Sequence, residues 1–389
     1  MAHHQERLAR IALAHLVPPG KRALAEEIHR YGPIDTLSRL KAGAVPGVAA
    51  RVGGEQVDPE AVLAYGERLG ARVVIPEDDE WPDQLADLAT MSRVDGVDDA
   101  PPICLWVRGR PHLREALDRS VAVVGARAAS EYGRHVATEL GYGLASRQWT
   151  VVSGGAYGID AAAHRGALSA GGVTVAVLAC GVDHAYPVGH VGLFERIADE
   201  GLLVSEWPPG VTPQRHRFLI RNRVIAAVTR GTVVVEAAAR SGSRATLRRA
   251  QRLGRAAMAV PGPVTSAMSV GPHVAIREGW ARLVCSTQEV LEEVGRIGDD
   301  LAPIPRGGEQ PRDHLSPQAA LILDALPARR PAPVEAIAHA AGVSITDVQR
   351  ALPLLVAAGM AEDVAGRYRL APSHRAPSSA VYRPTPQLR

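Results

Sequence analysis

Between residues 215 and 255 the chain carries eleven arginines (215, 217, 221, 223, 230, 240, 244, 248, 249, 252 and 255) against one acid, Glu236. Eleven positive charges less one negative leave +10 over 41 residues, the footprint of a site for a polyanion. Two clusters, Arg221-Asn222-Arg223 and Arg240-Ser241-Gly242-Ser243-Arg244, stand on either side of the apolar run 232–235. Ser241-Gly242-Ser243 reads as the cap of a following helix, whose free N–H groups attract anions.

Two glycine-rich turns add to this chemistry. Val124-Gly125-Ala126-Arg127 ends one apolar run, where Gly125 permits close backbone approach and Arg127 sets a cation beside the next helix start. Ser153-Gly154-Gly155-Ala156-Tyr157-Gly158 ends another, in a turn whose N–H groups meet an anion without side-chain obstruction. Tyr157, Tyr186, Trp207 and Phe218 are candidate stacking surfaces for bases, with core packing the favoured reading for Phe218. The spacing Gly-x-Gly-x-x-Gly with a ribose-binding acid is absent, and so is Gly-Lys-Ser/Thr, which argues against a dinucleotide dehydrogenase and a P-loop ATPase. Asp160, His164, Asp183, His184 and Glu236 are scattered without a nucleophile–base order. Asp160 and Glu236 lie near strand ends, where they are expected to cap backbone N–H groups or orient arginines. His190, His216 and His273 lack metal-ligand spacing, and Cys104, Cys180 and Cys285 stand far apart, so no metal, cofactor or disulfide is expected.

The elements that hold these residues follow from apolar patterning. The 389-residue chain is 46% hydrophobic with a formal net charge of only +3, so bulk charge names no partner. From residue 120 to about 298, short apolar runs at 121–124, 150–152, 173–178, 202–204, 232–235, 257–260 and 282–284 are mostly separated by helical stretches. Continuous rather than alternating runs suit strands covered on both faces, and strands joined by helices predict a doubly wound parallel α/β sheet. Ligands of such a sheet gather at the carboxyl ends of its strands. This Rossmann-like domain is assigned to 69–299, with its core at 120–299 and an adapter of two strands before it. Residues 1–68 carry Leu8, Ile11, Ala12 and Leu16 at helical spacing before Pro18-Pro19-Gly20, which suits equally a helical module of SAM-like or helix-hairpin type and a plain helical cap on the next domain. A linker at 300–314, a winged-helix domain at 315–371 and a disordered tail at 372–389 complete the chain. Residues 312–371 hold six arginines and six acids, a poor balance for reading DNA through its phosphates. No apolar run approaches the roughly 20 residues of a membrane helix, and no secretory pattern opens the chain; a cytoplasmic, membrane-free protein is expected.

A series of motifs in chain order is similar to the DNA processing protein A family (DprA, also called Smf). They are Val124-Gly125-Ala126-Arg127; Ser153-Gly154-Gly155-Ala156-Tyr157-Gly158-Ile159-Asp160 with Ala161 to His164; Gly181-Val182-Asp183 with Tyr186-Pro187; Ser205-Glu206-Trp207-Pro208-Pro209-Gly210; Arg221-Asn222-Arg223-Val224-Ile225-Ala226; Val235-Glu236-Ala237 with Arg240-Ser241-Gly242; and Val260-Pro261-Gly262. The resemblance covers roughly residues 5–370. It implies an extended Rossmann fold and a homodimer without cofactor or catalytic activity. It further implies binding and protection of incoming single-stranded DNA, and loading of the RecA recombinase onto it in natural transformation and recombination. The implied DNA site comprises Gly125, Arg127, Ser153, Gly154, Gly155, Tyr157, Gly158, Arg221, Asn222, Arg223, Arg240, Ser241, Gly242 and Arg244, with Asp160 and Glu236 orienting it. The chain departs from the family pattern at His190, at Arg244-Ala245, at Pro272-His273 and at Pro18-Pro19-Gly20-Lys21. A nucleotide-processing phosphoribohydrolase of the lysine-decarboxylase-like group is the alternative on the same fold. That group would place a Pro-Gly-Gly-x-Gly-Thr loop where Glu236-Ala237 and Arg240-Ser241-Gly242 stand.

Overall fold

The apolar runs of the sequence become strands of one nine-stranded sheet. A computed structural model describes residues 2–48, 58–91, 99–295 and 311–372. In chain order the strands are β1 (Ala71–Val74), β2 (Leu105–Arg108), β3 (Ser120–Val124), β4 (Thr150–Ser153), β5 (Thr174–Leu178), β6 (Leu202–Ser205), β7 (Gly231–Val234), β8 (Ala256–Ala259) and β9 (Arg282–Leu283). Their spatial order is β1-β2-β6-β5-β4-β3-β7-β8-β9. The strands β3 to β9 are parallel, as expected. The adapter adds β2, antiparallel to both β6 and β1, at one edge.

Eleven helices accompany this sheet among the described residues: α1 (Ala2–Leu16), α2 (Arg22–Lys41), α3 (Pro59–Arg68), α4 (Leu113–Asp118), α5 (Glu131–Ala145), α6 (Ile159–Ser169), α7 (Val191–Glu200), α8 (Arg215–Val228), α9 (Gly242–Arg252), α10 (Val270–Arg277) and α11 (Thr287–Val294). Strand side chains alternate between faces. Val121, Val123 and Val233 pack with Leu140 and Leu144 of α5, Ile159 and Ala163 of α6, and Leu291 of α11. Ala122, Val124 and Val234 pack on the other face with Val224 and Ile225 of α8 and Leu247 of α9. Both faces are therefore apolar, which is why the strands read as unbroken hydrophobic runs.

The strand order locates the ligand crevice. From β3 the chain steps outward through β4, β5 and β6, then returns to the opposite side of β3 to begin β7. The helix after β3 covers one face and the helix after β7 the other, so the two loops part and leave a gap at the carboxyl ends.

The helical module expected at 1–68 belongs to the same compact unit as the sheet, Met1–Pro303. Ile11 and Ala14 of α1 pack into a cluster with Val73 of β1 and Trp106 of β2. The second helix, α2, is regular through Tyr31 and leaves helical geometry at Gly32 (φ 75°) before Pro33. The second unit, Ile304–Arg389, holds α12 (Pro317–Ala325), α13 (Val334–Ala341) and α14 (Ile345–Ala357). A hairpin of β10 (Ala361–Val364) and β11 (Arg367–Leu370) follows them. Ser344 caps α14, accepting the N–H of Asp347. Most of the linker and the tail beyond residue 372 lie outside the described residues.

One buried histidine ties three elements together. His164 of α6 donates through Nδ1 to Thr174 Oγ1 (2.7 Å), which in turn donates to the Val151 carbonyl (2.7 Å). Burial, helped by the Arg221 charge, pushes its pKa down to about 3. Between that value and the unfolded pKa near 6.5 only the unfolded chain takes up the proton, so stability falls as pH drops through this window. Denaturant titrations should show a loss of about 1.4 kcal/mol per pH unit from this group, reduced in His164→Asn. An equal pH slope in the variant would contradict the assignment.

Candidate nucleic-acid interface

At the carboxyl ends of β3 and β7 lies a cleft of about 740 Å³. Gly125 and Arg127 line it after β3, and Ala156 and Asp160 after β4. Arg215, Phe218, Arg221 and Asn222 of α8 form one wall, and Ser241, Gly242 and Ser243 form the mouth of α9. The structure thus gathers Gly125, Arg127, Asp160, Arg221, Asn222, Ser241 and Gly242 from four separate loops and helices.

The floor is built around Asp160. Its carboxylate accepts the N–H groups of Gly154 (3.1 Å) and Ala156 (3.3 Å), fixing the glycine-rich turn. Gly158 adopts φ 80°, and a Cβ there would stand 2.3 Å from the Ala126 carbonyl oxygen, so the β3 and β4 loops meet without a side chain between them. Gly154 leaves room for Arg221, whose Nη1 would lie 2.1 Å from a Cβ at that position. Burial raises the Asp160 carboxyl pKa, opposed by the Arg221 charge and the two backbone donors.

Arg221 is 5% exposed. Its Nη1 donates to the Val177 carbonyl, and its Nε has no partner among the described residues. Burial pushes the guanidinium pKa down to about 10, with Asp160 acting against the shift and Arg127 adding to it. It remains cationic at neutral pH, and among the described residues no carboxylate lies within 4.0 Å of it.

Helix starts around the cleft fall into two kinds. The N-termini of α6, α8 and α9 carry no side-chain cap; Ile159 of α6 and Arg217 of α8 donate to the Ala126 (3.2 Å) and Gln214 (3.0 Å) carbonyls, and the other first-turn N–H groups are left for an anion. Ser241, expected to cap α9 by its hydroxyl, instead shares a 3.0 Å contact with Ser243 Oγ. The N-terminus of α5 is already filled. Glu236 accepts from Ser130 N–H (2.9 Å) and Ser130 Oγ (2.5 Å), and Ser130 caps Gly133. The helix beside Arg127 therefore holds an internal carboxylate in place of an incoming anion.

The arginine-rich segment also divides. Arg223, Arg230, Arg249 and Arg255 pair with Glu206 (2.6 Å), Asp118 (2.9 Å), Asp99 (2.8 Å) and Asp87 (2.6 Å), all acids from outside the 215–255 window. The local charge count overstates the free charge because the compensating acids arrive from distant sequence. Arg223 is a correction: two positions from Arg221 on α8 it points to another side, and its side chain is 0% exposed against Glu206. Ser153 is another, fully buried with its hydroxyl donating to the Val123 carbonyl (2.7 Å). Gly154 and Gly155 are buried beneath the floor. Arg240 and Arg244 line an adjoining groove that shares Ser241 and Gly242 with the cleft.

The aromatic residues sort differently from expectation. Trp207 is 4% exposed and offers no stacking face. Tyr157 is exposed and meets His190 edge-on at 4.5 Å, while His190 Nδ1 donates to the Gly155 carbonyl (3.0 Å). Phe218, expected in the core, lines the cleft with Arg127 over its ring at 4.9 Å and Tyr186 at 5.5 Å. The spacing of Arg215, Phe218 and Arg221, three residues apart on α8, was the available signal that one helix face carries all three. Gly154→Ala should force Arg221 aside and cost about 1–3 kcal/mol in denaturant unfolding, with part of the loss recovered in the Gly154→Ala/Arg221→Ala double variant. Additive losses would show that the two positions do not meet.

Comparison with known proteins follows the same residues. Residues 72–295 match the family model described as DNA recombination-mediator protein A. A Mycobacterium tuberculosis relative, provisionally named as a DNA processing protein DprA, is 44% identical over 365 residues, 92% of each chain. The DNA processing protein DprA of Streptococcus pneumoniae is 42% identical over 192 residues, 49% of this chain and 67% of that one. The X-ray structure of DprA from Streptococcus pneumoniae superposes with a TM-score of 0.60 at 30% identity, covering 75% of this chain and 98% of that chain. The chain belongs to the DNA recombination-mediator protein A family, the DprA/Smf proteins.

Proposed function

We propose that the cleft binds the backbone and bases of single-stranded DNA, and that the protein holds the strand for delivery to a RecA recombinase in transformation and homologous recombination. Arg221 carries this reading. It is a nearly buried guanidinium that lines the cleft and lacks a carboxylate partner among the described residues. A buried cation left without an ion pair is costly, and a phosphate entering the cleft supplies the missing charge with the bidentate geometry guanidinium favours. The open starts of α8 and α9 add N–H donors to the same anion, and Arg127 and Arg215 add cations at the rim.

The Phe218–Tyr186 wall favours a single strand over a duplex, since base faces are available for stacking only when unpaired. Glu236, spent on Ser130, is engaged structurally, and the reading assigns binding rather than bond-making to the pocket. Delivery to RecA rests on membership of a recombination-mediator family. A cytoplasmic homodimer completes the reading, with 315–371 as a winged helix whose charge balance suits a protein contact better than sequence reading of DNA.

Arg127→Glu and Arg215→Glu replace exposed rim residues. Each should weaken oligo-dT binding by roughly tenfold or more, given about 1.5–3 kcal/mol for a charged hydrogen bond, and flatten the salt dependence, with circular dichroism unchanged. Wild-type affinity in both variants would remove the cleft from the reading.

A further inference from the structure

The cleft does not end at Ser241. An adjoining groove of about 360 Å³ shares Leu219, Ser241 and Gly242 with it and continues between Arg240, Arg244 and Arg248. We infer that this groove is a second subsite of the same polyanion, a track for the phosphates of a single strand that leaves the cleft across the start of α9. The inference rests on the reading of the cleft as a single-strand site and extends it to residues that line no part of the cleft.

Charge separates this groove from the rest of the arginine-rich segment. Arg223, Arg230, Arg249 and Arg255 are neutralised by acids, whereas Arg240, Arg244 and Arg248 have no carboxylate partner among the described residues. No acidic residue lines the groove. Arg240 and Arg248 are exposed, so holding three like charges together costs little in water and becomes favourable once phosphates bind. Arg244 and Arg248 stand one helical turn apart, a step of about 6 Å along α9, comparable to the spacing of consecutive phosphates on an extended strand. The ends of the track are fixed by contacts. Arg244 donates to the Ala239 carbonyl, and Arg248 lies 5.3 Å over the ring of Trp280, whose Nε1 is held by Glu278 (2.8 Å).

Leu219 belongs to both depressions and is 43% exposed, an apolar saddle between two basic surfaces. A base can lie on it while the flanking phosphates meet Ser241-Gly242 on one side and Arg248 on the other. A free mononucleotide spans only one of the two depressions, so the groove adds affinity only for a strand long enough to cross the saddle.

Strand length is therefore the test. Anisotropy titrations with a labelled dT dinucleotide, whose single phosphodiester cannot lie on both sides of the saddle, and with labelled oligo-dT of about fifteen nucleotides would use the full chain, Arg248→Glu, and Arg147→Glu as a charge-matched control beyond the end of α5. The expected result is that Arg248→Glu binds the short strand as wild type does and loses about tenfold on the long one, with a shallower salt slope. Arg147→Glu should match wild type on both strands. Equal losses on both lengths, or none on the long strand, would overturn the subsite while leaving the cleft assignment standing. Failure of the wild-type chain to bind either strand would instead sink the cleft reading and the subsite with it.

Discussion

Arg221 is the constraint around which the site is arranged. It is a cation held almost out of water, with the Val177 carbonyl accepting from its Nη1 and no carboxylate among the described residues at ion-pair distance. The nearest compensation is Asp160, whose Oδ2 already accepts the N–H groups of Gly154 and Ala156. Such an arrangement costs stability. It survives because α8 and the glycine turn grip the side chain from both sides: Gly154 yields the space, the β5 carbonyl of Val177 takes one donor, and Asp160 fixes the turn. What the fold leaves unsatisfied there is the affinity a phosphate would meet.

Arg223, two residues further along the same helix, shows the opposite use of an identical side chain. Its guanidinium meets Glu206 at 2.6 Å, with both side chains buried. One arginine anchors α8 to the loop after β6, and the other lines the cleft without an ion pair among the described residues. Glu236 makes the same point for acids. Placed at the start of α5, it occupies the position an outside anion would take and so directs ligand charge toward α6, α8 and α9. The uncapped and filled helix starts together set which side of the crevice the proposed binding surface occupies.

Much of this was legible in the sequence, for physical reasons. Strands β3 to β8 are covered on both faces, so their residues form unbroken apolar runs that need no partner to be recognised. Gly125, Arg127, Arg221, Ser241 and Gly242 stood out because turns at strand ends demand glycine and anion sites demand cations. The antiparallel edge of β1 and β2 was not legible as a pairing, since two short strands give no sign of where they dock. The fate of Arg223 depended on Glu206, and that of Arg249 on Asp99, 150 positions away, which no local charge count contains. Phe218 was misplaced because a half-buried aromatic on a helix rich in arginine reads equally as core or as cleft wall. Its company with Arg127 exists only in three dimensions.

The central claim is that the cleft meets a polyanionic single strand. The most direct test is a fluorescence-anisotropy titration of labelled poly-dT across a salt series, with duplex DNA and AMP as competitors. The account predicts tight binding whose logarithm falls linearly with the logarithm of salt, by about 0.7 for each phosphate neutralised, with weak displacement by duplex and none by AMP. Absence of binding at low salt, or ready displacement by AMP, would contradict it and turn the same cleft into a mononucleotide pocket.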